Sequence, residues 1–420
     1  MFALPSQRGQ AITRLHRSPA VRALLALPLL VCCGGVAQAA GEVLRAALSQ
    51  PDTAILVEVS GRPVIAHQAD RPMIPASTMK LLTALAAIER WGLGHRFATD
   101  VHLGPDGWLW VRGSGDPLLV SEELNRMAAA LRRAGVPALP GIGVDGGLYP
   151  PALDIPGRAA SDNPYDAPVT ALAVNFNTVH LLVRGGGVQS AEPQTPLTPV
   201  ARRLGERLGP GRHRVNLQSG ELAERYAGEL LAAKLRDAGI AVGHGYRTGR
   251  VPDGAELLLR YRNSASLREV LSAMLAHSNN VVANQLFLLL GAEDGGAVRD
   301  LETAQQAMTD WVERRFAWRG FRIEDGAGLS RGNRLSARQL LDVVDAMAPY
   351  RQLLPVQPGN PAVRAKTGTL TGVSTYAGLV RRGGDWASFA MLANRPMSAA
   401  SRRRLADDLA RVEEAWWQQR

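Results

Sequence analysis

Cysteine is almost absent: the 420-residue chain contains only two, the adjacent Cys32 and Cys33. Both lie in residues 1–39, which have the layout of a secretory signal peptide, with four arginines and no acidic residue before an apolar run from Ala23 to Val31. Small residues end this segment, so we expect cleavage after Ala39 and export to the periplasm. The mature chain would then contain no cysteine, which excludes disulfides and thiolate metal sites.

Long hydrophobic runs are also absent from the sequence after this leader. The apolar run of the leader itself has nine residues, whereas a helix needs about 20 to cross a bilayer. A transmembrane anchor is therefore a weaker interpretation of the leader than a cleaved signal peptide.

Acidic residues are outnumbered, since 38 aspartates and glutamates face 48 lysines and arginines, which gives a net charge of +10. Loss of the four leader arginines lowers this charge to +6. So small an excess, spread along the chain, indicates attraction to an anionic polymer or a membrane surface. It gives no sign of nucleic-acid binding.

Lysine is the scarcest basic residue, with only Lys80, Lys234 and Lys366 among the 48 lysines and arginines. Arginine keeps its proton at any accessible pH, whereas a buried lysine can lose it and act as a base. A lysine retained in so arginine-rich a chain is therefore a candidate for a role that requires an amine. Lys80 and Lys366 are the stronger candidates because each lies in a short motif with a hydroxyl residue.

The hydrophobic fraction of 46% and the charged fraction of 20% are typical of a globular chain with two or three domains. Strand patterns over 54–61 and 63–70 lead to a helix that begins near Ser77. Residues 170–186 are β-rich, and the stretch from 190 to 220 predicts loops or a reduced subdomain. The remaining predicted elements are helices over 121–135, 223–238, 267–290 (interrupted at Ser278), 300–316 and 336–348, strands over 375–382 and 386–394, and a helix from Ser398.

Three short motifs carry the chemistry: Ser77-Thr78-Met79-Lys80, Ser278-Asn279-Asn280 and Lys366-Thr367-Gly368. Each alone is a weak signal, and Ser77 alone is equally typical of a helix cap. Their context makes them specific together, because the first opens an apolar helix, the second interrupts a helical segment and the third precedes two strands. This is the order of the motifs in the serine penicillin-recognising enzymes.

Helix geometry predicts how the first motif works, because residues three apart share a face and Lys80 can reach Ser77. If burial and the nearby charge of Lys366 keep Lys80 neutral, it can take the serine proton and make Ser77 a nucleophile. Ser278 can relay a proton to the leaving amine. Asn280 offers an amide that can orient Lys80 and the substrate backbone.

Beyond these motifs, the chain resembles the D-alanyl-D-alanine carboxypeptidase/endopeptidase family of class C low-molecular-mass penicillin-binding proteins. The similarity extends over nearly the whole mature length and includes "GSGDPLL" (113–119), "YDAPVTALAVNFNTV" (165–179), "DGAGLSRGNRLS" (325–336) and "AKTGTLTGVSTYAGLV" (365–380). Three positions depart from the family pattern, in which a tryptophan, an acid and a serine are usual; here they are Arg158, Asn284 and Ala327.

The resemblance implies an α/β fold of the α+β kind, with a β-lactamase/transpeptidase-like catalytic domain in which helices flank an antiparallel sheet. Residues 40–96 and 256–420 would form this domain, and residues 97–255 would form an inserted β-rich domain. The implied activity is that of a serine D-Ala-D-Ala carboxypeptidase acting on peptidoglycan peptides, with or without endopeptidase activity. Such an enzyme is acylated by β-lactams and needs no metal and no cofactor.

The resemblance also assigns binding roles around the nucleophile. Lys366 and Thr367 suit the terminal carboxylate of the substrate, and Gly368 and Thr369 are counted with them as substrate-binding residues. The backbone N–H groups of Ser77 and Thr369 would form the oxyanion hole.

A side-chain pocket is implied as well. In most Gram-negative walls the third residue of the stem peptide ends in an ammonium and a carboxylate, so a pocket that reads it needs an acid and a base. The family places these at positions that fall on Asp162 and Arg331. Asp166 is a rival to Asp162 because the loop around it is gapped relative to family members.

Two other functions stay open from the sequence. One is a β-lactamase, against which the mature length of about 380 residues and the family segments both argue. The other is a non-catalytic protein that binds peptidoglycan or β-lactams and keeps the fold.

The last predicted helix carries an apolar stripe behind three arginines, Arg402 to Arg404. Its members recur every three or four residues, as on one face of a helix: Leu405, Leu409, Val412 and Trp416. Packing on the catalytic sheet is the favoured interpretation, and peripheral contact with a membrane surface is the alternative.

Overall fold

The computed structural model describes residues 41–411, except 42, 152, 293–295, 299 and 383. The expected signal peptide and the end of the C-terminal stripe, Val412 and Trp416, lie outside the described residues. The strands are β1 Thr53–Val59, β2 Arg62–His67, β3 Ala98–Leu103, β4 Leu109–Arg112, β5 Leu139–Asp145, β6 Thr178–Arg184, β7 Gly187–Ser190, β8 Gly211–Asn216, β9 Val242–Thr248, β10 Glu256–Arg262, β11 Val356–Gln357, β12 Asn360–Leu370, β13 Val373–Arg382 and β14 Asp385–Ala393. The helices are α1 Met79–Trp91, α2 Ser121–Arg133, α3 Pro199–Gly205, α4 Gly220–Asp237, α5 Leu267–His277, α6 Asn280–Leu290, α7 Leu301–Phe316, α8 Ala337–Met347 and α9 Ala399–Arg411.

A six-stranded antiparallel sheet joins the two ends of the described chain, in the order β11-β12-β13-β14-β1-β2. Its strands are apolar on both faces because each face is covered by helices. Along β1, Ala54 and Leu56 belong to the core formed with α1 and α5 to α8, whereas Ile55 and Val57 face α9. This alternation is the two-residue period of a strand. The predicted fold class, an antiparallel sheet flanked by helices, is confirmed.

The C-terminal helix α9 packs on the outer face of this sheet. Leu405 and Leu409 are 0% and 1% exposed and share a core with Ile55 and Phe389. The sheet-packing interpretation of the apolar stripe is therefore confirmed for these two residues. In the described part of the chain, no helix is both long enough and apolar enough to cross a membrane.

The segment between β2 and α5 contains two further sheets, one of five strands in the order β10-β3-β4-β5-β9 and one of three in the order β7-β6-β8. Helices α2, α3 and α4 pack with both sheets around one apolar core, which also includes Val200 and Leu204 from the stretch predicted as a reduced subdomain. Strand β10 pairs with β3. The predicted boundary between residues 255 and 256 therefore falls one strand early, because residues 256–262 complete the inserted sheet.

The stretch predicted as β-rich from residue 170 becomes a strand only at Thr178. Three consecutive residues before it, Asn175, Phe176 and Asn177, have positive φ angles of 52°, 60° and 52°, which no strand can contain. The Asn177 side chain holds this turn by donating to Pro168 and Thr170, each at 2.9 Å. Apolar composition suggested a longer strand, but this side-chain bonding overrides it.

Candidate active site

Ser77 lies in a short 3-10 turn that runs directly into α1. The preceding residue, Ala76, has a φ of 47°, a left-handed conformation that is uncommon outside glycine and concentrates at functional sites. The hydroxyls of Thr78 and Thr375 hold the turn by donating to the Pro75 carbonyl at 2.6 and 2.8 Å. The Ser77 side chain stays partly exposed and is reachable from solvent.

Lys80 is fully buried, and its terminal nitrogen has three polar neighbours. Nζ lies 3.0 Å from Ser77 Oγ, 2.8 Å from Asn280 Oδ1 and 2.7 Å from the Ala327 carbonyl oxygen. Burial, and then the charge of Lys366, holds the pKa of Lys80 well below its usual range. A neutral amine has two N–H bonds, and the two carbonyl oxygens accept both. The lone pair is then left for the proton of the Ser77 hydroxyl.

Ser278 and Lys366 form a second serine–lysine pair. Ser278 is the left-handed residue (φ 53°) at which the chain turns from α5 to α6. Lys366 Nζ donates to Ser278 Oγ at 2.9 Å and to the Thr367 carbonyl at 2.8 Å. Burial, and then the charge of Arg402, lowers the pKa of Lys366 to about 8. Lys366 is therefore mainly charged at neutral pH, and Ser278 can accept from it while donating its own proton elsewhere.

Asn280 is oriented by its two neighbours. Asn280 Oδ1 accepts from Lys80 Nζ, and Asn280 Nδ2 donates to the Tyr165 carbonyl at 2.9 Å. Asn279 caps α6 by accepting from the Val282 amide at 3.1 Å. The Tyr165 contact ties the inserted segment to the site, and nothing in the sequence pointed to it because it uses a backbone carbonyl.

Strand β12 presents the third motif with alternate residues on opposite sides. Thr367 and Thr369 are exposed, whereas Gly368 between them is buried. A side chain at Gly368 would collide with Thr375 Oγ1 and lie 2.8 Å from the backbone nitrogen of Ser77. Only glycine allows this close approach. It brings the segment that carries the Thr369 amide alongside the Ser77 amide.

The buried loop that contains Asp325 and Ala327 also supports Lys80. No motif in the sequence assigned a role to this loop. The Asp325 carboxylate is fully buried and accepts from the Ala327, Leu329 and Ser330 amides at 3.0 to 3.1 Å and from the Asn333 side chain at 2.6 Å. These bonds fix the Ala327 carbonyl that accepts from Lys80. An aspartate followed by two glycines, as in "DGAG", is the sequence signal that could have predicted such a turn.

Two of the departures from the family pattern fit this arrangement. Ala327 contributes its carbonyl, so the side chain that replaces the usual serine is not the contacting group. Asn284 is buried and accepts from the Gly326 amide at 2.9 Å, a contact for which an amide oxygen is sufficient.

The residues of the predicted side-chain pocket are held by fewer contacts than the residues of the catalytic motifs. Asp162 is exposed and accepts from Gln218 Nε2 at 2.7 Å, and Arg331 donates to the Thr371 carbonyl. The rival Asp166 is buried and holds its own loop, since it accepts from the Ala159 amide and the Ser161 hydroxyl. The structure therefore leaves Asp162 as the accessible carboxylate of this loop.

In the described ranges, no group of histidine, aspartate and glutamate side chains is arranged to hold a metal ion. The polar side chains that the structure brings together at the site are those of the two serine–lysine pairs and Asn280.

The sequence profile of the D-Ala-D-Ala carboxypeptidase 3 (S13) family matches residues 40–199 and 213–416. The chain belongs to this family. A D-alanyl-D-alanine carboxypeptidase of Actinomadura sp. is 27% identical over 397 residues, which cover 76% of this chain and 73% of the relative. Carboxypeptidase DacB of Mycolicibacterium smegmatis is 26% identical over 399 residues, with 84% and 79% covered. The resemblance found in the sequence is confirmed, and the enzyme class is serine-type D-Ala-D-Ala carboxypeptidase.

Solved structures share the fold at lower sequence identity. Penicillin binding protein 4 of Haemophilus influenzae matches with a TM-score of 0.71 at 19% identity, covering 88% of this chain and 98% of that one. A predatory peptidoglycan endopeptidase of Bdellovibrio bacteriovorus matches with a TM-score of 0.52 at 16% identity, covering 85% and 90%.

Proposed function

We propose that this S13 enzyme removes the terminal D-alanine of peptidoglycan peptides in the periplasm through an acyl-enzyme at Ser77. The observation that carries the proposal is the environment of Lys80. Its nitrogen lies 3.0 Å from Ser77 Oγ, and two carbonyl oxygens accept its hydrogens. A buried amine with a lowered pKa in this position is a general base aimed at a serine.

Acylation follows from this geometry. Ser77 Oγ attacks the carbonyl carbon of the penultimate residue, and its proton passes to Lys80. The oxygen of the substrate carbonyl gains negative charge, which the N–H groups of Ser77 and Thr369 stabilise. The C–N bond then breaks while Ser278 donates its proton to the leaving amine. Lys366, 2.9 Å away, restores the proton of Ser278.

Deacylation reverses these transfers with water in place of the amine. Water attacks the ester at Ser77 and gives one proton to Ser278, which returns it to Lys366. Lys80 gives its proton back to Ser77 Oγ as the C–O bond breaks. Both lysines then regain their starting protonation states.

Substrate recognition begins with the terminal carboxylate, which Lys366, Thr367 and Thr369 would bind. The two threonines are exposed on β12 and offer hydroxyl donors beside the Lys366 charge. A β-lactam carries a carboxylate at a comparable position, so we propose that β-lactams acylate Ser77 as well. One structure of the Haemophilus influenzae protein is complexed with a novel β-lactam, which supports this proposal.

Three finer features belong to the same proposal. The leader in residues 1–39 supports export, and the similarity to a predatory peptidoglycan endopeptidase supports additional cleavage of cross-bridge peptides. Asp162 and Arg331 would bind the ammonium and carboxylate of a diaminopimelate-type side chain.

Release of D-alanine from a pentapeptide that ends in D-Ala-D-Ala tests the proposal. The protein should release it, and Ser77→Ala should not. Rapid hydrolysis of penicillin without peptide cleavage would instead indicate a β-lactamase, and inertness toward both substrates would indicate a binding protein.

A further inference from the structure

Arg402 reaches the site from the opposite face of the catalytic sheet. It lies on α9 and is 8% exposed, because its side chain inserts beneath β12. One guanidinium nitrogen, Nη1, donates to the Gly368 carbonyl at 2.7 Å and to Thr369 Oγ1 at 2.8 Å. A C-terminal helix thus contacts the strand that carries the Lys-Thr-Gly motif.

The contact with Thr369 fixes the direction of a hydrogen bond. A guanidinium only donates, so Thr369 Oγ1 accepts from Arg402. The hydroxyl has a single hydrogen, which is then left to donate on the exposed side of β12. Thr369 is exposed there, beside Thr367. An unassisted threonine hydroxyl could accept or donate, whereas this one is preset as a donor.

Burial also disfavours the charged form of Arg402 and lowers its pKa from the usual value. The titratable groups that face it are Tyr376 and Arg403, and its own charge acts on Lys366. No carboxylate of the described chain is among them, and Arg402 Nε has no hydrogen-bond partner in that part of the molecule. A buried cation is stabilised when an anion binds nearby. The carboxylate that β12 receives would be that anion.

We propose that Arg402 is a positioning residue for recognition of the free C-terminal carboxylate of the substrate, acting by presetting Thr369 as a donor and by placing positive charge behind β12. The inference rests on the proposed function, since it assumes that β12 binds the carboxylate. The competing interpretation is a purely structural clamp between α9 and β12, which would affect every substrate equally.

Two peptides separate these interpretations: one ending in D-Ala-D-Ala with a free carboxylate, and the same peptide with a C-terminal amide. Arg402→Met should lower kcat/KM for the acid about 10- to 100-fold, mainly through KM, because hydrogen bonds to a charged group are lost. For the amide peptide, kcat/KM should change less than about threefold, because its neutral end gains little from the charge of Arg402 in the unmodified enzyme. Arg404→Met, the same change at an exposed position of α9, is the matched control and should leave both values unchanged.

Thr369→Val provides a second route that keeps the arginine and its bond to the Gly368 carbonyl, although it removes the hydroxyl that accepts from Nη1. It removes the hydroxyl and keeps the backbone amide, so it should reduce the preference for the acid in the same direction. Combined with Arg402→Met, its effect should be smaller than the sum of the two, because both act through one hydroxyl. Arg402→Lys, which keeps the charge, should recover part of the preference.

Equal losses for acid and amide in Arg402→Met, or an unchanged acid preference in Thr369→Val, would overturn the inference. If Arg402→Met does not fold, Thr369→Val and Arg402→Lys decide the question alone. Failure of the proposed function is seen separately, because the unmodified enzyme would then release neither D-alanine from the acid nor D-alaninamide from the amide.

Discussion

Lys80 and Lys366 are two buried lysines whose pKa values are both lowered, and the positive charge of Lys366 helps to keep the pKa of Lys80 well below its usual range. Each lysine is bonded to its own serine, Lys80 to Ser77 and Lys366 to Ser278. We propose that Lys80 serves as the base for the nucleophile and that Lys366 serves the leaving group and the substrate carboxylate. The different roles of the two lysines thus follow from the positions of their nitrogens.

Replacing Lys80 by arginine should be almost as damaging as replacing it by alanine, although arginine keeps a charge. Arginine cannot release its proton, so it cannot take the proton of Ser77. We expect the rate of acylation by penicillin to fall by at least about 100-fold, the range of general base catalysis. Rates within tenfold of the unmodified enzyme would show that Lys80 is structural.

Lys234, the third lysine of the chain, is the control for this substitution. It is 4% exposed on α4 and donates to the Gln194 carbonyl. Lys234→Arg should therefore lower the free energy of unfolding while leaving the acylation rate of the folded protein unchanged.

The pH dependence of kcat/KM for a peptide with a free carboxylate should be bell-shaped. Activity rises with pH as Lys80 loses its proton through its lowered pKa. It falls above about pH 8, where Lys366 loses the charge that holds the carboxylate. Lys366→Arg keeps its charge in this range, so its residual activity should lose the descending limb. A descending limb unmoved in that variant would assign it to another group.

Gly368→Ala should reduce acylation because the added methyl group meets Thr375 Oγ1 and the Ser77 backbone nitrogen. Overpacking of this kind costs about 1–3 kcal/mol of stability and displaces the backbone. Thermal unfolding and penicillin acylation should both report it. Gly94→Ala is the matched control, since a methyl group there meets nothing within 4 Å, and it should be neutral in both assays.

Asp162→Asn should raise KM about tenfold for a diaminopimelate-type peptide, because an ammonium of the substrate loses its charged partner. Penicillin carries no such side chain, so its acylation should be unchanged. Asp166→Asn should instead lower stability, since Asp166 holds the loop from within. Equal effects of Asp162→Asn on both substrates would remove Asp162 from the pocket.

The sequence predicted most of the helices and the central sheet because these depend on local periodicity. Helix α1 and the turn at Ser278 follow from patterns within about a dozen residues, and the spacing of Ser77 and Lys80 follows from one helical turn. The boundary near residue 256 was missed because β10 belongs to its sheet only through pairing with β3, more than 150 residues earlier.

The sequence predicted those parts of the site that consist of side chains in short motifs. The contacts of the Tyr165 and Ala327 carbonyls use the backbone, so residue type does not predict them. Arg402 could not be distinguished from the many other arginines by sequence, because its contact with β12 depends on the fold. The scarcity of lysine predicted which lysines are buried and did not by itself identify catalytic residues, because Lys234 is also buried and lies outside the two motifs.

The central claim is that Ser77 is the nucleophile, and mass spectrometry of the protein after incubation with penicillin tests it most directly. We predict a single added penicilloyl mass, on the peptide that contains Ser77, and no adduct in Ser77→Ala despite an unchanged unfolding temperature. An adduct that persists in Ser77→Ala, or that maps to Ser278, would contradict the account.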